Sequence, residues 1–333
     1  MNLFDRKSRL RGGTLPIWLL MGVLVCGWSV AVAPAAAQNQ SLDELLTQVG
    51  EDYAVGYSSP FLHSFGPNAN SNMYSTAHIP WTGLVFGIGV KVMGTQLNET
   101  DQSFSKVIDN VDLSTYDPSI PAGTMGTVYM SGPTIFGDTE TNGTVQGFAS
   151  GIEVFNAETI PGLIDTQWSP LIAPEAYIGG IAGLKLTVRY LPEMDTGDLG
   201  KTKYWGYGLQ WNANGILKNL PVDVMAGFFT QQINVGTVYE SKASTIFAGA
   251  SKSFTLLTVY GGVAAESSEL DVAYDFRHPT DPALDSSVGF TVDGVQDSRL
   301  TLGVTLDILA KLNVEMGMGN KLTSYSAGLM FGF

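Results

Sequence analysis

From residue 71 onward the chain alternates apolar residues with polar or small ones, in runs of about ten positions, the length a tilted strand needs to cross a hydrocarbon layer. The last run is the clearest. Tyr325, Ala327, Leu329, Phe331 and Phe333 share one parity, and Ser324, Ser326, Gly328 and Gly332 share the other. Upstream, Leu300, Leu302, Val304, Leu306 and Ile308 alternate with Thr301, Gly303, Thr305 and Asp307, and Leu184, Leu186, Val188 and Tyr190 alternate with Lys185, Thr187 and Arg189. This period predicts strands at 71–79, 82–94, 125–136, 144–155, 172–180, 182–192, 201–213, 222–234, 241–251, 254–264, 267–276, 296–308, 311–319 and 322–333. The count is about fourteen, within a range of twelve to sixteen, and an even count places both ends of a barrel on one face. Thr141-Asn142-Gly143, Gly261-Gly262 and Gly319-Asn320 supply turn chemistry at three joints. Residues 277–295 and 214–221 read as outer loops.

A soluble β-sandwich also alternates, so the period alone does not choose between water and lipid. Three further features favour an all-β, closed antiparallel transmembrane barrel. The polar parity is rich in Gly, Ser and Thr rather than in Lys and Glu, only 14% of residues are charged, and the chain ends on an aromatic residue within the strand pattern. Phe333 is therefore the candidate signal for the barrel-assembly machinery. Backbone groups in lipid must all be paired, which requires a sheet closed on itself.

The N-terminal region breaks the strand pattern. Arg6, Lys7, Arg9 and Arg11 precede an uncharged apolar stretch over 15–32, and Ala35-Ala36-Ala37 offers a signal-peptidase site before Gln38. An uncleaved anchor is the rival reading, set against the Ala-rich ending and polar Gln38-Asn39-Gln40; a lipoprotein at Cys26 is disfavoured by the preceding Val25. Residues 1–37 are thus expected to be a cleaved signal peptide, 38–70 a helical, plug-like segment and 71–333 the barrel. Within 41–59, Leu42, Leu45, Leu46, Val49 and Tyr53 fall on one helical side, with Ser41 and Glu44 spaced as a capping box. Helical period leaves two placements open: a plug inside the lumen, or a segment sealing its mouth.

Charge and chemistry narrow the function classes. Removal of the leader, which carries four basic residues and Asp5, takes the net charge from −14 to −17. So acidic a chain is a poor nucleic-acid binder. Cys26 is the only cysteine, so the mature chain holds no disulfide or thiol site. His63, His78 and His278 are scattered, with no serine at a motif spacing, which argues against a hydrolytic triad and a transition-metal site. No phosphate-binding glycine loop is present. The reading is a non-enzyme without cofactor or metal. The acidic stretch 95–169 could offer carboxylate oxygens to Ca²⁺ but lacks an EF-hand spacing, so solvated acidic loops are the favoured reading of it.

Lys91, Lys185, Arg189, Asp307 and Glu315 sit on the inward parity, since a cation facing lipid at mid-membrane costs about 2–4 kcal/mol. Two roles follow for them: lining a selective pore, or bracing the lumen as a salt-bridge network. Trp205, Trp211, Tyr190, Tyr204, Tyr325 and Phe333 are candidates for aromatic girdles.

Several motifs resemble a family of uncharacterised predicted bacterial outer-membrane barrels. They are Asn70 to His78 (NSNMYSTAH), Pro133-Thr134-Ile135-Phe136-Gly137, Leu184 to Pro192 (LKLTVRYLP) with Tyr204 to Gln210 (YWGYGLQ), and Thr258-Val259-Tyr260-Gly261-Gly262. Trp211 departs from the family pattern, where His is expected. That family is distantly similar to long-chain fatty-acid transporters, which are fourteen-stranded with an N-terminal plug. The resemblance implies a passive channel or transporter in the outer membrane, with hydrophobic small molecules as cargo. A non-conducting structural or adhesin-like barrel is the alternative, because fold does not dictate function.

Overall fold

The computed structural model of the chain describes residues 42, 46, 49–277 and 285–332. The expected leader, the Ser41 and Glu44 capping pair, His278 and Phe333 lie outside these residues.

Ten of the described strands close into one antiparallel ring. In chain order they are β1 (Val85–Gln96), β6 (Trp168–Ile181), β7 (Leu184–Asp195), β8 (Lys201–Asn212), β9 (Asp223–Val235), β10 (Tyr239–Ser253), β11 (Leu257–Phe276), β13 (Ser298–Asp307), β14 (Lys311–Gly319) and β15 (Thr323–Gly332). The seam is the β1–β15 pair, which runs in register from Gly87↔Gly332 to Thr95↔Ser324. β12 (Ser286–Asp293) pairs only with the last turn-ward half of β11, beyond the ring. Between β1 and β6 the chain leaves the barrel to form a separate four-stranded sheet, β2 (Ser103–Asp112), β3 (Met125–Pro133), β4 (Thr144–Ala149) and β5 (Ile152–Glu158).

The ring thus holds ten strands where fourteen were expected. Residues 71–79 pair with no strand and run as bends. The predicted strand at 125–136 is β3, and 144–155 divides into the β4–β5 hairpin at Ser150 and Gly151, both at positive φ. A small sheet with one buried face has the same period of two as a barrel wall, so parity could not separate the two. The predicted strands at 254–264 and 267–276 are one twenty-residue strand, because β10 pairs with β11 without a break from Ser253↔Thr258 to Tyr239↔Val272.

Helix α1 spans Glu51–Ala69 and carries Pro60 and Pro67 within it, so it runs past the predicted end at residue 59. Its buried side binds the structure at one end of the barrel. Tyr53, Tyr57, Leu62 and Phe65 share a core with Leu113, Val128 and Met130 of the small-sheet region and with Ile233, Leu270 and Val272 from the tops of β9 and β11. Tyr53 meets Phe104 edge-on, with ring centroids 4.8 Å apart.

The two ends of the ring differ. At the end holding Gly332, strands are joined by 182–183, 213–222, 254–256 and 308–310; at the far end they are joined by 196–200, 236–238 and 320–322 and by the two longest connections, 97–167 and 277–297. Residues 214–221 therefore share the end of the chain terminus, opposite to 277–295, and not the same face as predicted. Around the ring the outward parity is apolar: Ile88, Val92, Leu186, Val188, Leu302 and Val314 are 44–65% exposed. No described helix is long and apolar enough to cross a membrane.

Candidate functional site: the occupied lumen

The inward parity is polar, yet it is buried. Lys91, Glu175, Arg189, Gln210, Gln231, Arg299, Asn313 and Glu315 are each less than 9% exposed. What covers them is the chain itself. From the last turn of helix α1 onward, residues 67–79 descend through the ring and touch every one of its ten strands.

The descent begins where α1 ends. Its last turn contains no basic residue, although the final carbonyls of a helix are unpaired and attract cations. The barrel wall supplies two. Arg189 of β7 donates through Nη1 to the Ala69 carbonyl at 2.9 Å and through Nη2 to those of Ser71 at 3.0 Å and Asn72 at 2.6 Å. Its Nε reaches Glu175 of β6 at 2.9 Å and Nη1 also reaches Gln231 of β9 at 3.1 Å. The Phe229 ring lies beneath the guanidinium, its centroid 5.1 Å away. Arg299 of β13 donates to the Pro67 carbonyl at 2.5 Å and to Ser71 Oγ at 2.9 Å, with Nε on Glu266 of β11. Both cations have carboxylate partners and use their remaining donors on the luminal chain, which is how a buried charge is made tolerable.

Asn72 is the centre of the crossing. It occupies the left-handed region at φ 54°, which Asn tolerates better than most residues. Its N–H donates to Glu315 Oε1 at 2.7 Å; its Oδ1 accepts from Lys91 Nζ at 2.7 Å and Asn313 Nδ2 at 2.8 Å. Its Nδ2 reaches Ser326 Oγ at 3.2 Å. Five polar contacts, counting the Arg189 bond, tie one residue to β1, β7, β14 and β15.

Below Asn72, Gln210 of β8 donates to the Met73 carbonyl at 2.6 Å and Thr305 of β13 to that of Ser75 at 2.7 Å. The Ala77 N–H donates to Ser251 Oγ of β10 at 2.9 Å, and Asn212 Nδ2 reaches the Ala77 carbonyl at 2.7 Å. Tyr74 stacks on Phe247 at 5.3 Å and meets Tyr260 of β11 at 5.4 Å. Room for that ring comes from Gly262, where a Cβ would fall 2.3 Å from the Tyr74 hydroxyl. The inward glycines here make space for protein, not for water.

Of the five charges predicted to line the lumen, Lys91, Arg189 and Glu315 lie in this network. Lys185 and Asp307 do not. They border a cavity of about 340 Å³ at the Gly332 end, with Tyr74, Tyr177 and Met330. There Lys185 Nζ sits 5.2 Å from the Tyr177 ring centroid, and Asp307 pairs with Lys311. Sequence reading missed Glu175, Gln231, Glu266 and Arg299. Arg299 was within reach of it, since Leu300 beside it faces outward. Tyr204, expected in a girdle, is instead fully buried and donates to Gln231. Tyr190 and Tyr325 do face outward, more than 40% exposed.

Outside the barrel, Asp101, Asp112, Asp117 and Asp138 of 95–169 cap their own turns. Asp112 accepts from the Gly123 N–H at 2.8 Å and the Ser114 N–H at 3.1 Å, which holds its carboxyl below the usual aspartate range. Asp138 is held low in the same way by Thr141 and the Glu140 N–H. Among the described residues, no group of three or more His, Cys, Asp or Glu is placed to hold a metal ion.

The sequence profile of a family described as "Family of unknown function (DUF6588)" matches residues 15–333. No curated protein matches the chain. Among solved structures, a loop-deletion mutant of the outer-membrane protein OmpT of Vibrio cholerae is 10% identical over 75% of this chain and 99% of its own, with a TM-score of 0.25. The translocator domain of the autotransporter NalP from Neisseria meningitidis is 12% identical over 76% and 88%, TM-score 0.24. The Pseudomonas putida toluene transporter TodX is 11% identical over 89% and 98%, TM-score 0.20. At these scores the likenesses add nothing to what the strand pairing shows.

Proposed function

The chain belongs to a family described only as being of unknown function, DUF6588, and we propose that it is an outer-membrane β-barrel sealed by its own chain, which anchors a helix and a small sheet at one of its mouths rather than conducting solutes. The observation that carries this reading is the run of contacts from residues 67–79 to all ten strands, centred on Asn72 and the two buried guanidinium groups.

The outward belt supports the membrane part of the proposal. Each Å² of apolar surface left in water forgoes roughly 25 cal/mol of burial, and the belt runs round the whole ring. Hydrocarbon supplies the missing burial, and an edgeless sheet is the form of β-structure that lipid accepts. Outer-membrane lipid is then the belt's partner, and the assembly machinery reads the terminal strand. At the far end, the small sheet turns Val107, Tyr129 and Phe148 away from its core, Tyr129 and Phe148 meeting edge-on at 5.4 Å. That face suits an adhesin-like role.

One observation favours passive transport instead: the 340 Å³ cavity, which mixes Lys185 with apolar Tyr177, Ile79 and Met330. A solute entering there can go no farther until residues 67–79 leave the ring. Recordings across a planar lipid bilayer decide between the readings. The sealed barrel gives no conductance steps at any voltage the membrane survives; steady steps from the unmodified protein overturn the proposal and restore the channel.

A further inference from the structure

We infer that the barrel carries its own N-terminal segment across the membrane, so that helix α1 stands on the outer surface although β1 starts, and β15 ends, on the periplasmic side. The inference rests on the membrane reading above and goes beyond it by fixing which way the luminal chain runs and which side each part occupies.

The direction of the luminal chain is set by its partners. Asn68 donates to the Ser169 carbonyl at 2.6 Å and accepts from Thr95 at 2.8 Å; Ser169 opens β6 and Thr95 nearly closes β1, so both mark the far end. Asn72 lies level with Lys91 and Ser326, midway along β1 and β15. Ala77 lies beside Asn212 and Ser251, at the end where β8 and β10 finish. Trp81 then accepts from the Ala182 N–H at 3.0 Å and donates to the Asn212 carbonyl at 3.2 Å, both at the Gly332 end. The chain therefore traverses the full ring before its first barrel strand begins. With an even number of strands, Val85 and Gly332 share one face and α1 is on the other.

Which face is outside follows from the connections. Bacterial barrels have short periplasmic turns and long outer loops. Both ends have three tight joints, 182–183, 254–256 and 308–310 at the Gly332 end and 196–200, 236–238 and 320–322 at the far end; what separates them is the remainder, a ten-residue 213–222 at the Gly332 end against 97–167 and 277–297 at the far end. The far end is the outer one. Helix α1 is locked there, because Leu62 and Phe65 share a core with Val128, Leu270 and Val272. A helix packed into that core is too wide to retreat through a lumen already filled by one extended strand of chain. The segment therefore crosses unfolded, or before the β1–β15 seam closes, and folding at the far side makes the passage one-way.

Cysteine labelling tests this directly, since the chain beyond Ala37 contains no cysteine. Glu51→Cys places a thiol at the exposed start of α1, Ile152→Cys one on the 70% exposed rim of β5, and Leu309→Cys one in the 92% exposed 308–310 turn. Cells expressing each full-length variant are treated with a membrane-impermeant maleimide, intact or after permeabilising the outer membrane. Retention of the folded, heat-modifiable gel mobility is the condition for reading a variant, with Gly50→Cys standing in if Glu51→Cys fails it. The expected result is full labelling of Glu51→Cys and Ile152→Cys in intact cells, and labelling of Leu309→Cys only after permeabilisation. Protection of Glu51→Cys in intact cells, with the protein in the membrane fraction, overturns the inference and leaves the sealed barrel standing. Recovery of the protein as a soluble periplasmic species removes the membrane reading and the inference together.

Discussion

Arg189 and Asn72, separated by 117 positions in sequence, are joined by a 2.6 Å hydrogen bond from the guanidinium to the backbone carbonyl. That bond lies where a wall strand and the luminal chain cross, and the same guanidinium holds Glu175 on the neighbouring strand. Removing the cation leaves a carboxylate buried without its nearest partner. Arg189→Met is therefore expected to destabilise the barrel by about 3–5 kcal/mol. Adding Glu175→Gln to that variant recovers part of the loss, because it removes the stranded charge. Thermal midpoints of the folded gel species in detergent check both statements, and an unchanged midpoint for Arg189→Met would contradict the network described here.

Asn72 separates two effects at one position. Asn72→Gly keeps a residue at home in the left-handed region but deletes the amide that meets Lys91, Asn313 and Ser326. Asn72→Ala deletes the same amide and adds a Cβ penalty of roughly 1–2 kcal/mol. Both variants are expected to lose stability, with Ala the worse by about that difference. Urea midpoints in matched detergent measure it. Equal losses would mean that the wall, not the local backbone, sets the conformation at 72.

The barrel wall was legible in the sequence and its occupant was not. Parity assigned the inward side of β7, β13 and β14 because each strand has lipid-like residues on one side and Gly, Ser, Thr or charge on the other. Residues 71–79 also alternate loosely, so the same rule read them as a strand. Their polar groups are satisfied by side chains from eight different strands, and such long-range pairing leaves no periodic trace. The small sheet failed for a related reason: β2 has Phe104 and Ile108 facing α1 and Val107 facing out, so its parity is blurred. The three network charges that were named came from inward parity alone. Glu175, the partner of Lys91 and Arg189, and Glu266, the partner of the unnamed Arg299, lie on strands whose Pro174 and Ser267-Ser268 obscured the pattern.

Asp112 gives a pH dependence confined to the outer region. Its carboxylate accepts from Gly123 and Ser114, and these bonds hold its titration below the ordinary aspartate value. A lowered folded value means that the carboxylate stabilises the 112–124 turn above the ordinary aspartate range, and that this contribution fades as pH falls through the lowered value. Exchange of the Gly123 amide, corrected for its intrinsic rate, should stay protected through mildly acidic pH and open only in stronger acid. Asp112→Asn should remove most of the dependence. A protection curve that bends at or above the ordinary aspartate value would count against the assignment.

Gly262 and Tyr74 test whether the lumen is packed as a core is packed. A Cβ at 262 would lie 2.3 Å from the Tyr74 hydroxyl and 2.5 Å from the Ala248 carbonyl, so one of them must move. The Tyr74 ring is clamped between Phe247 and Tyr260 and cannot swing aside cheaply. Gly262→Ala is thus expected to destabilise the barrel by about 1–3 kcal/mol through overpacking. In the background of Tyr74→Ala the same substitution still meets the Ala248 carbonyl and Gly249 Cα but not the ring, and its effect should shrink. The coupling between the two changes should fall in the range of about 0.5–3 kcal/mol seen for residues in contact. Additive losses would mean that Tyr74 does not occupy the lumen beside β11, and the descent of residues 67–79 through the ring would lose its lower anchor.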